Sequence, residues 1–187
     1  MMKKSNANYK WVWIVTISAF MISIILGLVT NTVVRDLSVM IAFAVLIFVV
    51  LLGILFDIIG LAVATATEAP FHAKSSKRVK GAKESLALIR NAEKVSSFCN
   101  DVIGDIAGVI SGGLATTIAI SLLVTMPFLT ALGANLLMTA VVSAVTVGGK
   151  AMGKNVAITK SYTIVEKCGI IIYSLKRIFT ISKKEKR

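Results

Sequence analysis

The sequence predicts an all-α, polytopic membrane protein: four transmembrane helices plus cytoplasmic, amphipathic juxtamembrane helices. Three observations carry that expectation. The 187-residue chain is 56% hydrophobic and only 16% charged, with a mean hydropathy of +0.85. Its formal net charge is nevertheless +12. Its apolar and basic residues lie in separate blocks, the pattern of a membrane protein. A soluble domain this apolar would normally dilute its surface with more charge, and a disordered basic tail needs low hydrophobicity. Nucleic-acid binding is the first thought for a pI near 10.0. It fits badly, because the basic residues are not interleaved with the apolar runs, so no nucleic-acid partner is expected.

The elements follow in chain order. Residues 1–10 form a basic N-terminus with Lys3, Lys4 and Lys10. Trp11–Val34 carries no charge and as a helix reaches roughly 36 Å, enough for a hydrocarbon core of about 30 Å. A signal peptide is the alternative, but the run is too long and no A-x-A-like cleavage site closes it. Leu37–Ala66 is the second span and holds one charge, Asp57. Val102–Met126 is the third, with Asp105 near its start, and Phe128–Gly149 is an uncharged fourth. Thr125-Met126-Pro127-Phe128 joins the last two as a tight helical hairpin, since proline cannot continue the hydrogen-bond ladder.

If the chain crosses four times, every Lys and Arg except Arg35 falls on one side. The positive-inside bias makes that side the cytoplasm and puts both termini there, in a multi-pass protein of the plasma membrane. The segment at about 70–100 reads as amphipathic helix, with Leu86, Ile89, Ala92, Val95 and Phe98 in steps of three. It is either a solvated connector or a surface helix with lysines toward anionic headgroups, and the surface reading is favoured. The tail, residues 159–187, carries a heptad-like stripe of Ile164, Cys168, Ile171, Leu175 and Ile178. Lys176-Arg177 shortens its apolar run too much for easy spanning, so it reads as a cytoplasmic partner or interfacial helix. No second globular domain is expected to follow.

Candidate chemistry is sparse. Cys99 and Cys168 fall on the reducing side, so no disulfide is expected. A single histidine, His72, cannot build a Cys/His metal site. It reads as a surface residue. No nucleophile–base constellation or Walker-type phosphate loop can be assembled, and an enzyme is not expected. The informative residues are Asp57, Glu68, Asp101 and Asp105, in or at the ends of spans. Carboxylates at membrane depth are costly and usually face a bundle interior or an ion route. Asp101 and Asp105, four apart, share a helix face. Thr65, Thr67, Asn100, Ser111, Asn135 and Thr139 offer further oxygens of the kind hard cations favour. The plainer alternative is that Glu68 and Asp101 are simply solvated at the interface. Gly104, Gly108 and Gly112 form a doubled G-x-x-x-G, the face of a close helix crossing.

Several of these stretches resemble the transmembrane domain of the CorB/CorC/CNNM (cyclin M) magnesium transporters. Thr65-Ala66-Thr67-Glu68-Ala69 looks like the family's S-x-S-E-T. Lys80-Gly81-Ala82-Lys83-Glu84-Ser85-Leu86-Ala87-Leu88 is similar to its juxtamembrane helix. Ile103-Gly104-Asp105 falls where the family has I-G-N-N, and Gly149-Lys150-Ala151-Met152-Gly153-Lys154-Asn155-Val156-Ala157 where it has G-E-x-x-P-K-x-x-A. The likeness covers about residues 38–158, so that 37–158 reads as the family-like domain and 11–34 as an additional span. It implies a homodimer in the lipid bilayer that moves a divalent cation, Mg²⁺, through a site drawing on Thr67, Glu68, Asp105 and, from the residues themselves, Asp101. Three departures matter. The second asparagine of I-G-N-N is Ile106, the family's proline is Gly153, and its glutamate is Lys150, whose ammonium would repel a divalent cation. Lys150 is therefore expected to modulate the site. It could lie against Glu68, Asp101 or Asp105 and neutralise the site from within, leaving a non-transporting assembly or regulatory module. A small membrane-permeabilising protein such as a holin is a third alternative.

Overall fold

The computed structural model describes residues 9–33, 38–125 and 130–185. These are almost wholly helical: α1 (Tyr9–Val33), α2 (Val39–Thr65), α3 (Ala69–Ser76), α4 (Ala82–Arg90), α5 (Ala92–Ser97), a π-helical turn (Phe98–Gly104), α6 (Asp105–Thr125), α7 (Ala131–Thr159) and α8 (Ser161–Glu185). The all-α expectation holds. Three helical runs are long and apolar enough to cross a membrane: Val39–Thr65, Ala92–Leu123 and Ala131–Thr159. The first apolar block is also helical, as α1, with a shorter apolar stretch at Val12–Ile25. The tight hairpin expected around Pro127 falls outside the described residues.

The outward faces of the long helices are those of a membrane protein. Met40, Ile47, Phe48 and Leu51 of α2 and Leu132, Leu136, Val147 and Met152 of α7 are all exposed, Met40 by 83%. Contiguous apolar surface on this scale marks contact with lipid or another protein. The hydroxyls in these helices are spent on their own backbones. Thr65 Oγ1 donates to Leu61 O (2.9 Å), Ser111 Oγ to Gly108 O (3.0 Å) and Thr117 Oγ1 to Gly113 O (3.1 Å), as an environment without water requires.

The chain forms two compact units, Met1–Leu51 with Asp105–Ala144, and Leu52–Gly104 with Val145–Arg187. In the first, α1 packs along α6. The buried residues of α6 are Ala107, Ser111, Leu114, Ala115, Ile118 and Ala119. They follow steps of three and four, the seam of one helix face.

In the second unit, Ala62, Val63, Phe71, Ile89, Ala157 and Val165 form a core from five elements, α2, α3, α4, α7 and α8. Two turns organise it. Asn91 ends α4, its backbone N–H reaching back to Ala87 O and Leu88 O, so the predicted 70–100 stripe is split. Leu86, Ile89, Ala92 and Val95 still meet the core, while Phe98 is exposed. Between α3 and α4, Arg78 and Gly81 adopt left-handed backbone (φ 54° and 81°). Gly81 is pressed against α8, where a Cβ would come within 2.7 Å of the Ile170 nitrogen. Opposite it, Ser85 Oγ donates to Val165 O at 3.1 Å. The buried seam of α8 is thus Val165 and Gly169, one position beyond the predicted Ile164 and Cys168. Ile171, Leu175 and Ile178 of the predicted stripe remain exposed.

Candidate functional site

Helix α2 meets α7 at glycines. A Cβ on Gly153 would come within 2.6 Å of Ile58 Cγ1, and one on Gly149 would overlap Ile54. Small residues at such a crossing let helices approach closely in lipid, where packing and not water exclusion drives association. Lys150 lies between those glycines, and Asp57 lies between the two isoleucines. The register therefore brings them face to face, with Lys150 Nζ 3.6 Å from Asp57 Oδ1. The pair is largely sequestered, the lysine side chain 27% and the carboxylate 14% exposed. Asp57 is thus the partner of Lys150, not Glu68, Asp101 or Asp105 as the sequence suggested.

The π-helical turn forms the third wall. A Cβ at Gly104 would stand 3.6 Å from Lys150 Nζ and 3.7 Å from the Cys99 carbonyl oxygen. Across the same turn, Asn100 lies so close to Gly60 that a Cβ there would overlap its Oδ1. Gly60 is one helical turn from Asp57. Asn100 Nδ2 donates to Ser96 Oγ at 3.4 Å, but its Oδ1 is buried and accepts no hydrogen bond among the described residues. An orphaned buried acceptor costs about 1–3 kcal/mol. The turn itself has i→i+5 geometry, which is frequent at functional positions. The crossing of α2, the π turn and α7 thus holds the Asp57–Lys150 pair, and the unpartnered amide oxygen of Asn100 lies against α2 at Gly60.

The predicted cation ligands lie elsewhere. Glu68 precedes α3, where its carboxylate accepts from His72 Nε2 (2.9 Å) and Arg90 Nε (3.3 Å). Those bonds, His72's first, hold its carboxyl below the usual carboxylate value. The cluster is wet, with Glu68 41% exposed, so it is a surface tie of modest worth. Thr67 is exposed in the link before α3. Asp101 is exposed and accepts from Ser97 Oγ at 2.7 Å. Asp105 opens α6, also exposed, and belongs to the first unit. Among the described residues no three of His, Cys, Asp and Glu come together as a metal-holding group.

Gly104 is buried in the π turn, but nothing described lies within 4 Å of a Cβ at Gly108 or Gly112. The buried small residues of α6 are Ala107, Ser111 and Ala115 instead. The signal for the real crossing was available in Gly149-x-x-x-Gly153 and in Gly60, three residues after Asp57. Compared with protein-family models, curated proteins and solved structures, the chain matches none.

Proposed function

We propose that the chain is a multi-pass membrane module built on the CorB/CorC/CNNM plan, in which the Lys150 ammonium stands in for a transported cation. The observation that carries this reading is the Asp57–Lys150 pair at 3.6 Å. A carboxylate within an apolar span is costly unless a cation meets it. Here the cation is covalently part of α7 and cannot leave. Its role is then cohesion, joining α2 to α7 within a non-transporting assembly or regulatory module. Four crossings, cytoplasmic termini and a homodimer in the plasma membrane belong to the same proposal. The packing of α1 along α6 supports the additional crossing, because α1 presents Trp13, Ile17 and Phe20 outward as a lipid-facing helix would.

A second reading is divalent-cation transport, with Mg²⁺ as the substrate. The buried, unpartnered Asn100 Oδ1 favours it, since amide and carboxylate oxygens are the ligands hard cations take. Mg²⁺ flux into proteoliposomes separates the two. The first reading expects wild-type flux equal to that of empty vesicles. Saturable, divalent-selective flux that falls at least about tenfold in Asp57→Asn would overturn it. If wild type and Lys150→Met are both silent, the transport reading fails.

A further inference from the structure

We infer that the turn between α3 and α4, together with α8, forms a binding site for a phosphate group, the headgroup of an anionic lipid. A cavity of about 220 Å³ lies there, lined by Arg78, Val79, Lys80, Lys83, Glu84 and Tyr173. Arg78, Lys80 and Lys83 make no ion pair among the described residues. The one acid in the lining is already matched, Glu84 Oε1 lying 3.5 Å from Lys176 Nζ. The lining therefore presents an uncompensated charge of three cations to whatever enters.

The wall is a built one. Arg78 N donates to Ser75 O (3.0 Å), Val79 N to Lys74 O (3.1 Å) and Ala82 N to Val79 O (3.2 Å). Gly81 is wedged against the α8 backbone. Arg78 holds a left-handed conformation (φ 54°) that glycine or asparagine would adopt at lower cost. The backbone thus bears a strain there to set a guanidinium at the cavity, and guanidinium is the group whose planar fork suits phosphate oxygens. The cavity is smaller than the roughly 300–1,000 Å³ of drug-sized ligand pockets, which suits a headgroup better than a nucleotide. Apolar surface adjoins it, with Val79 in its lining and Ile170 against Gly81, each 43% exposed. A cationic rim beside exposed aliphatic side chains matches a phosphate that carries acyl chains. This inference does not depend on whether the chain transports.

The test uses the full chain in dodecylmaltoside micelles, titrated separately with dioctanoyl phosphatidic acid, dioctanoyl phosphatidylcholine and inorganic phosphate, and read by phosphorus NMR. Phosphatidic acid should bind saturably and phosphatidylcholine should not. Each basic residue near an anionic surface is worth about fivefold, so Arg78→Gly/Lys80→Gln/Lys83→Gln should bind about a hundredfold more weakly. Lys154→Gln/Lys160→Gln/Lys167→Gln, with the same loss of charge, should bind within about twofold of wild type. Inorganic phosphate binding as tightly as the lipid would support the phosphate site but make its ligand soluble. Arg78→Gly alone should lower binding about fivefold while the protein melts no earlier. Equal loss in the two triple variants, unchanged binding in Arg78→Gly, or no saturable binding of either phosphate compound would overturn the inference.

Discussion

Lys150 and Asp57 are each unfavourable alone and acceptable together. A charged pair about 4 Å apart attracts by roughly 4 kcal/mol at an effective dielectric of 20, but most of that is offset by desolvation. Stranding one partner of a fully buried pair costs about 3–5 kcal/mol. Here the lysine retains 27% exposure, so Lys150→Met should destabilise the fold by about 2 kcal/mol. Asp57→Asn should cost about 1–2 kcal/mol by the same reasoning. The double variant Asp57→Asn/Lys150→Met should lose at least about 1 kcal/mol less than the sum, because both charges leave together. Chemical unfolding in micelles measures the cycle, and strict additivity would mean that the contact carries no coupling. The sequence revealed that Lys150 was out of place, but not which carboxylate it met. That choice is made by the rotation of α2 against α7, and Gly149 and Gly153 set it.

At the scale of elements, glycine acts where backbones touch. A Cβ at Gly169 would lie 2.5 Å from Gly81 O and 2.9 Å from Ser85 N. Backbone cannot yield as a side-chain tip can, so Gly169→Ala should destabilise by at least about 2 kcal/mol, despite alanine's better helix propensity. Gly108→Ala meets nothing and should stabilise by up to about 1 kcal/mol. Thermal melts of the two variants should therefore shift in opposite directions. Helix α3 is also tied to α8: Lys74 Nζ donates to Glu166, and its ammonium sits 4.9 Å from the centre of the Tyr162 ring. The Glu166 bond, then Tyr162, raises the Lys74 pKa above its usual 10.5. A group raised on folding contributes its full stability below the unfolded value and loses it as pH rises through the folded one. The melting difference between wild type and Lys74→Met should stay level through neutral pH and shrink only above about pH 10.5. A difference already declining at pH 8 would show that the tie is not electrostatic. Helix content and long apolar runs were legible in the sequence because they depend on composition and local propensity. The break at Asn91, the π turn and the α8 seam were not, because tertiary contacts decide them: Ile89 and Val165 reach one shared core only if the chain turns between them.

For the whole molecule, the parity of crossings decides on which side each terminus lies. Three runs qualify as spans by length and composition. With three alone, the N-terminus and the α8 tail would lie on opposite sides, and Lys3, Lys4 and Lys10 would be separated from the basic residues of 74–94 and 150–187. With α1 as a fourth, only Arg35 lies apart from the rest. The positive-inside bias counts lysine and arginine in short loops near helix ends, and these segments are of that kind. A fourth crossing would also give α1 an environment for Trp13, Phe20 and Leu28, each more than 60% exposed. Left in water, side chains of this size would each forgo roughly 1.5–3 kcal/mol of burial. In a background where Cys99 and Cys168 are replaced by Ala, single cysteines at Ser5, Asp36 and Ser76 can be probed with an impermeant maleimide on intact cells. Asp36→Cys should be labelled from outside, while Ser5→Cys and Ser76→Cys should react only after the membrane is opened. Labelling of Ser5→Cys from outside, with Ser76→Cys protected, would reduce the crossings to three and place the first basic cluster outside the cell.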